Sequence, residues 1–219
     1  MKLIYLLFLS FLSVTVFSQQ KFEAFAVDDK YGVVEISNFS EFIEPQFDSW
    51  SQYFSTITII NGNEYNFIDK TNGKKEIYQS TDIELRFNGM YFMLFEKDGK
   101  SVFIPKDVSK KMVFNKRYSK AFGNGRDLIV GTSDYFEVFV KPNFKTPKLN
   151  NIAATKVYRG FIDRKRTKKQ EYVTIFYGQQ QILVYDVKFN LLKKYDSEEN
   201  YESRMFDIIS NEFTKITDM

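Results

Sequence analysis

Carboxylates and lysines are the groups left to do chemistry in this 219-residue sequence, because it contains no histidine and no cysteine. Without histidine there is no Ser-His-Asp triad, no histidine general acid or base and no histidine-ligated zinc. Without cysteine there is no thiolate nucleophile and no disulfide. A glycosidase would need two carboxyl groups about 5 to 9 Å apart, and no pair of acids stands out. The sequence therefore predicts a non-enzymatic protein without catalytic residues or cofactor, and a carboxylate-only enzyme is the weakest alternative.

An acidic stretch near the end of the chain is a candidate for calcium binding, since calcium prefers oxygen ligands. Its members are Asp196, Glu198, Glu199 and Glu202. The stretch lacks the alternating acidic order and the closing glutamate of a calcium loop. We therefore interpret it as a solvated loop and predict no metal site.

A basic run is the densest charge cluster. It sets six cations against one acid, Asp163, within eleven residues, and the cations are Arg159, Arg164, Lys165, Arg166, Lys168 and Lys169. One interpretation is a solvated hairpin tip or insertion. The other is a binding site for an acidic glycan, lipopolysaccharide or an acidic protein surface. Added salt would weaken such binding by screening the charges. The formal net charge is only +3, so nothing in the overall charge suggests nucleic acid as a partner.

The single tryptophan, Trp50, is the aromatic residue most suggestive of binding. It lies between polar residues, three positions before Tyr53, and we expect it in a loop between structural repeats. There the indole beside Tyr53 could stack on a sugar ring or anchor a protein partner. Packing against a neighbouring repeat is the alternative, because large aromatic side chains are usually well buried.

These residues are expected on an all-β scaffold, because one pattern occurs five times. Each copy is an apolar run, a short polar turn, and a second run rich in β-branched and aromatic residues. The turns begin at Asp28, Asn61, Glu96, Thr132 and Gly178, which gives spacings of 33, 35, 36 and 46 residues. A near-constant period of this length is typical of repeat proteins.

The predicted fold is an array of about five β-hairpin or three-stranded repeats, with a five-bladed propeller as the alternative, since propeller blades usually take about 40 to 50 residues. The runs 83–87 and 111–114 supply third strands. The repeats fall near 22–54, 55–89, 90–126, 127–170 and 171–200, followed by a cap at 201–219. The longer last interval predicts an insertion within 148–171. Apolar residues at helical spacing between Tyr201 and Thr217 predict a short closing helix, or else a final strand.

The first eighteen residues are predicted to be a signal peptide. Lys2 precedes an apolar run, and cleavage is expected between Ser18 and Gln19. An uncleaved membrane anchor is the alternative, but spanning a bilayer takes roughly 20 apolar residues. We therefore predict one β-repeat domain over 19–219 in a secreted or periplasmic bacterial protein, without the cysteine that lipid attachment at the cleavage site would need.

The first repeat contains Tyr31-Gly32, which opens a strand, and the element Ile43-Glu-Pro45-Gln-Phe47-Asp48 about a dozen residues later. In these two elements it resembles the WG repeat family of bacterial β-repeat proteins. Tyr31 stands where the family has tryptophan, and the later copies share only the period. The resemblance implies an interaction or structural module with no catalytic residues.

The function predicted from these observations is that of an exported, non-enzymatic repeat protein that binds another envelope or extracellular protein or has a structural role. Stacked repeats create an extended surface suited to such binding. The alternative is a module that binds a glycan or acidic ligand through Trp50, Tyr53 and the basic run.

Overall fold

The computed structural model describes residues 20–123, 125–164, 169–196 and 215–218. The prediction of an all-β repeat fold is confirmed: the described residues form four antiparallel sheets, and their one helical turn is a single 3₁₀ turn at Val108–Lys110. They divide into two compact units. The first comprises 20–84 and 91–117, and the second comprises 85–90 and the described residues from 118 onward.

Two sheets start in the first unit. The first sheet contains β1 (Phe22–Val27), β2 (Lys30–Glu35) and β3 (Ser40–Phe47) in chain order. The second sheet has seven strands, again in chain order: β4 (Ser49–Tyr53), β5 (Thr56–Asn61), β6 (Glu64–Asp69), β7 (Lys75–Phe87), β8 (Met90–Lys97), β9 (Lys100–Pro105) and β10 (Met112–Val113).

The second unit holds the other two sheets. One contains β11 (Lys120–Gly123), β12 (Asp127–Gly131), β13 (Tyr135–Val140) and β14 (Leu149–Ala153) in chain order. The other contains β15 (Lys156–Arg164), β16 (Lys169–Tyr177), β17 (Gln181–Asp186), β18 (Leu191–Asp196) and β19 (Lys215–Asp218), and β19 pairs with β15 at one edge.

The five repeated sequence patterns correspond to five hairpins: β1–β2, β5–β6, β8–β9, β12–β13 and β16–β17. The β5–β6 turn is closed by the pair Asn61↔Glu64, with Gly62 at φ 54°. Asp98 and Gly99 have φ values of 52° and 71°, the backbone conformation that tight hairpin turns require. The predicted third strands also form, within β7 and as β10.

Of the segment 148–171, in which an insertion is expected, the described residues form β14, β15 and the start of β16 and pair in antiparallel ladders, with a register shift between β13 and β14. Residues 165–168 lie outside the described residues. Strands β15 and β16 have nine residues each, against five and six for β4 and β5, which join the first two repeats in the same way. Their extra length forms a long hairpin whose last described pair is Arg164↔Lys169.

The predicted closing helix does not form at Lys215–Asp218, which is strand β19. Pairing with β15 satisfies its backbone hydrogen bonds there. Residues 197–214, which include the rest of that predicted helix and Glu198, Glu199 and Glu202, lie outside the described residues, as do residues 1–19 with the predicted signal peptide and its cleavage site.

Gly32 brings together the two elements of the first repeat. A Cβ at this position would lie 2.5 Å from the carbonyl oxygen of Ile43 and 2.9 Å from the nitrogen of Pro45. The β2–β3 register also shifts between Tyr31 and Val33. Strand β3 therefore approaches β2 more closely than any side chain at position 32 would permit.

Candidate functional site

Strands β5 and β6 are buried on both faces, and each face packs against a different neighbour. Directly opposed residues of antiparallel strands share a face, so Ser51, Thr58 and Phe67 lie on one side of the sheet and Gln52, Ile57 and Ile68 lie on the other. The side with Ile57 packs against the first sheet, in a cluster that includes Val33 and Phe47.

The opposite side packs against β8 and β9, where Phe67 and Tyr78 meet Phe95, Val102 and Ile104. A cleft of about 470 Å³ lies between this contact and β4, and we call it the aromatic cleft. Its lining is mainly aromatic or apolar, with Tyr53, Tyr65, Phe67, Tyr91, Phe95 and Ile104 among its residues.

The inner wall of the aromatic cleft is made of interlocked rings. The Tyr65 and Phe95 ring centroids are 5.1 Å apart at 71°, and those of Phe67 and Phe95 are 5.7 Å apart at 83°. Such edge-to-face pairs are favourable and fix ring orientation. The mouth is different: Tyr53 and Tyr91 are 41% and 63% exposed. A rigid wall below two exposed tyrosines suits the burial of a partner side chain.

Few charged groups line the aromatic cleft, and they do not form a catalytic pair. Glu84 is the single carboxylate among its lining residues and Lys106 the single ammonium group. Burial, followed by the charges of Asp82 and Glu84, raises the pKa of Tyr65, so its phenol stays protonated and can donate a hydrogen bond. A retaining or inverting glycosidase needs two carboxyl groups, and the lining of this cleft supplies one.

Trp50 and Tyr53 lie on β4 itself, so the expectation that Trp50 occupies a loop is wrong. Three positions apart on a strand, they point to opposite faces. Trp50 is 6.3 Å from the ring of Tyr31 on β2, whereas Tyr53 lines the aromatic cleft and contacts Phe54 edge-to-face at 4.3 Å. The two residues therefore form no joint stacking platform.

The basic run is divided. Arg159 lies half-buried on β15. Burial lowers the pKa of its guanidinium, and the charge of the nearby Asp127 carboxylate offsets this only in part. Arg159 is therefore part of the packed structure of its unit and not of an exposed tip. Arg164 and Lys169 lie at the distal end of the β15–β16 hairpin. Lys165, Arg166 and Lys168 lie outside the described residues.

Sequence reasoning missed a second basic feature in the second unit. An open cavity of about 590 Å³ is lined by four exposed cationic residues, Arg126, Lys141, Lys148 and Lys188, and by Asp127. The first and the last of the four are 62 positions apart in the sequence, which is why no charge run marks them.

A polar cluster beside the aromatic core is structural. The Glu76 carboxylate accepts hydrogen bonds from the Tyr78 hydroxyl and from the Lys111 and Lys74 ammonium groups. Burial opposes ionisation, but these donors outweigh it and lower the pKa of Glu76 to about 2. Lys97 lies 4.8 Å from the Tyr78 ring centroid. The cluster holds β7 to the segment that precedes β10.

The described residues contain no group of three or more acidic side chains placed to hold a metal ion. Within the same part of the chain, no helix has the length and apolar character needed to cross a bilayer.

Comparison with known proteins identifies no family. No family model matches the chain, and no curated protein matches it. Solved structures with partial similarity include PorZ, a surface component of the type-IX secretion system of Porphyromonas gingivalis, at 9% identity and a TM-score of 0.33, covering 83% of this chain and 26% of that one.

Two other partial matches are Hsv2 of Kluyveromyces lactis and apo AztD of Citrobacter koseri. Hsv2 gives 10% identity and a TM-score of 0.32, covering 81% of this chain and 61% of that one. AztD gives 9% identity and a TM-score of 0.32, covering 81% of this chain and 57% of that one. This chain thus spans less than two thirds of each of the three chains compared. At these scores the similarity assigns no function.

Proposed function

We propose that this chain is an exported, non-enzymatic binding protein that holds another protein in the aromatic cleft of its first unit. The observation that carries the proposal is the cleft itself: about 470 Å³ of mainly aromatic surface, with Tyr53 and Tyr91 exposed at its mouth. Binding pockets are typically concave, mostly apolar and supplied with a few polar groups.

The identity of the exposed residues supports a protein partner. Tyrosine is enriched at binding hot spots, where it gives a large contact area and a hydroxyl that tolerates water in the free state. Phe54, adjacent to Tyr53, is 72% exposed. Its ring contacts that of Tyr53, so the two form contiguous exposed aromatic surface, which is common where partners bind.

The proposed location follows from the amino-terminal segment. Residues 1–18 have the order of an export signal, which supports a partner in the bacterial envelope or outside the cell.

Affinity capture with a double variant tests this function. The mature chain and the variant carrying Tyr53→Ala and Tyr91→Ala are immobilised and exposed to the native envelope fraction at low salt. We expect a partner that the wild type enriches and the double variant loses by at least about tenfold. The control is Tyr172→Ala, which removes a tyrosine 52% exposed in the second unit. Equal capture by all three proteins would contradict the proposal.

An acidic glycan is the second candidate ligand, favoured by the cavity with Arg126, Lys141, Lys148 and Lys188. Cations lining a concavity attract polyanions, and salt screens that attraction. Binding of a sulfated oligosaccharide to the wild type and to a variant with Lys148→Gln and Lys188→Gln tests it. Binding that is absent, or equal in the two proteins, removes this candidate.

A further inference from the structure

We propose that the occupant of the aromatic cleft is an extended peptide segment of the partner, which adds to strand β4 as an extra strand and places alternate side chains in the cleft. This inference rests on the proposed function and specifies its mode of recognition. Strand addition at an open sheet edge derives affinity from main-chain hydrogen bonds and specificity from pockets for every second side chain.

The first support is a free row of backbone groups. Strand β4 is the terminal strand of its sheet, and its residues 49–53 are all exposed. It joins β5 by a two-residue turn closed by Tyr53↔Thr56. The closing pair of such a hairpin is hydrogen-bonded and bonding alternates along the ladder, so Ser51 and Tyr53 bond to β5. The backbone groups of Trp50 and Gln52 therefore point away from the sheet.

The second support is that β4 lacks the usual protection of an edge. Native edges are guarded by charged residues, proline, bulges or very short strands. The other edge strands whose side chains the structure describes have such devices. Charged residues occur in three of them and proline in one: Glu23 in β1, Lys120 in β11, Lys193 in β18 and Pro45 in β3. Strand β10 has only two residues, and the ladder of β14 with β13 has a register shift. Strand β4, Ser-Trp-Ser-Gln-Tyr, has no charge, no proline and an unbroken register.

The third support is that the free edge and the aromatic cleft adjoin. Ser51, Gln52 and Tyr53 all line the cleft. Residues of an added strand that lie opposite Ser51 and Tyr53 would share their face, and they would be about 6.6 Å apart at two-residue spacing. Two side chains of the peptide would therefore enter the cleft beside Tyr53.

The lining specifies the side chains. One carboxylate, Glu84, and one ammonium group, Lys106, leave no excess of either sign, and both are exposed. The wall behind them is Tyr65, Phe67 and Phe95. The peptide should therefore carry aromatic or large aliphatic residues at alternate positions, with the residues between them facing the side of the sheet that bears Trp50.

Selected peptides test this inference. A display library of random peptides of about twelve residues, long enough for a strand of typical length, is selected on the mature chain. We expect a consensus with apolar residues at alternate positions. The consensus peptide is then synthesised unmodified and in two forms, N-methylated at odd or at even positions, because each form removes the amide donors of one edge only.

One methylated form should weaken binding at least about tenfold and the other should bind nearly as well as the unmodified peptide. On the protein, Gln52→Pro removes an outward N–H without touching the bonds to β5, and it should weaken binding similarly. If Gln52→Pro fails to fold, as circular dichroism would show, the two methylated forms still decide between the outcomes.

The outcomes separate the two proposals. Loss of binding with Tyr91→Ala, combined with indifference to both methylated forms, would overturn strand addition and leave the cleft as a binding site. Failure to select any peptide, or selected peptides indifferent to Tyr91→Ala, would overturn both. A concentration-dependent dimer that Gln52→Pro abolishes would make a second copy of this chain the occupant and would also overturn the inference.

Discussion

Trp50 and Tyr53 lie on opposite faces of the edge strand β4. Trp50 is 6.3 Å from Tyr31 of the first sheet, and Tyr53 lines the aromatic cleft. Successive side chains of a β-strand point to opposite faces, so two residues three positions apart lie on different faces. Trp50 and Tyr53 are close in sequence but contact different surroundings. Their substitutions should therefore have different effects.

Trp50→Ala should act on stability and Tyr53→Ala on binding. Removing the indole takes away its contact with Tyr31, and we expect a loss of about 1 kcal/mol in the free energy of unfolding, since Trp50 is 41% exposed. Tyr53→Ala should leave that free energy nearly unchanged and weaken partner or peptide binding. Urea unfolding and binding titrations of both variants measure the two quantities, and the reverse assignment would contradict the separation of the two faces.

Gly32→Ala should be strongly destabilising. Its new Cβ would lie 2.5 Å from the backbone oxygen of Ile43, and the backbone cannot yield as a flexible side chain could. We expect a loss of about 2 kcal/mol in the free energy of unfolding. The matched control is Gly125→Ala, where a Cβ would meet no atom within 4 Å. Equal unfolding midpoints for the two variants would show that β3 does not approach β2 as described.

Glu76 should make the protein sensitive to acid. The pKa of Glu76 is lowered from 4.5 to about 2 in the folded state, so its contribution to stability is complete above pH 4.5 and is lost as the pH falls toward 2. That contribution is at most about 3 kcal/mol. Glu76→Gln should reduce stability at pH 7 and flatten the decline between pH 5 and pH 3.

Urea unfolding at several pH values measures this effect, with Glu44→Gln on an exposed position of β3 as the control. An acid decline in Glu76→Gln as steep as that of the wild type would assign the sensitivity to other carboxylates, among them Asp69, whose pKa is lowered by hydrogen bonds from Thr71 and Asn72 that outweigh its burial.

Lys70 should destabilise the fold at neutral pH. Its side chain is 1% exposed, and burial lowers its pKa, which the charge of Glu23 only partly offsets. At pH values just below 10.5 the unfolded chain therefore binds more protons at this residue than the folded chain does. Lys70 thus makes the free energy of unfolding rise with pH in that range. Lys70→Met should raise stability at pH 7 and remove that rise, whereas Lys75→Met on an exposed position should do neither. A less stable Lys70→Met at pH 7 would contradict this account.

Substitutions in the basic run should fall into two groups that differ in their effect on stability. Neutralising Arg164, Lys165, Arg166, Lys168 and Lys169 together should change the free energy of unfolding by less than about 1 kcal/mol. Arg159→Gln alone should cost more, because it removes a half-buried guanidinium whose charge acts on the Asp127 carboxylate, and Asp127 is only 9% exposed. Thermal melts of the two variants compare them, and a larger loss in the five-residue variant would place the run in the packed structure.

The hairpins were predictable because their signals are local. The runs on either side of Asn61 and Asp98 are apolar and end at residues that tolerate positive φ, so both turns follow from a few adjacent residues. The neighbouring edge strand β4 was not predictable, since an exposed strand with polar residues on both faces has no alternation to detect.

The aromatic cleft was equally hidden in the sequence. Tyr53 and Tyr91 are 38 residues apart, and what brings them to one mouth is the packing of β5 and β6 against β8 and β9. Their exposure depends on where this contact ends. Non-local packing of that kind leaves no spacing pattern, and the scattered cations around Lys148 escape notice for the same reason.

Site-specific photo-cross-linking tests the central claim most directly. Tyr91 is replaced by p-benzoylphenylalanine in the full-length chain, and in a second protein the same replacement is made at Tyr172. After irradiation in the native host, the account predicts that Tyr91 cross-links to one partner protein through a segment with apolar residues at alternate positions. The Tyr172 protein should give no such product. Cross-linking of the same partner from both positions, or no cross-link from Tyr91 in cells that produce the chain, would contradict a partner bound in the aromatic cleft.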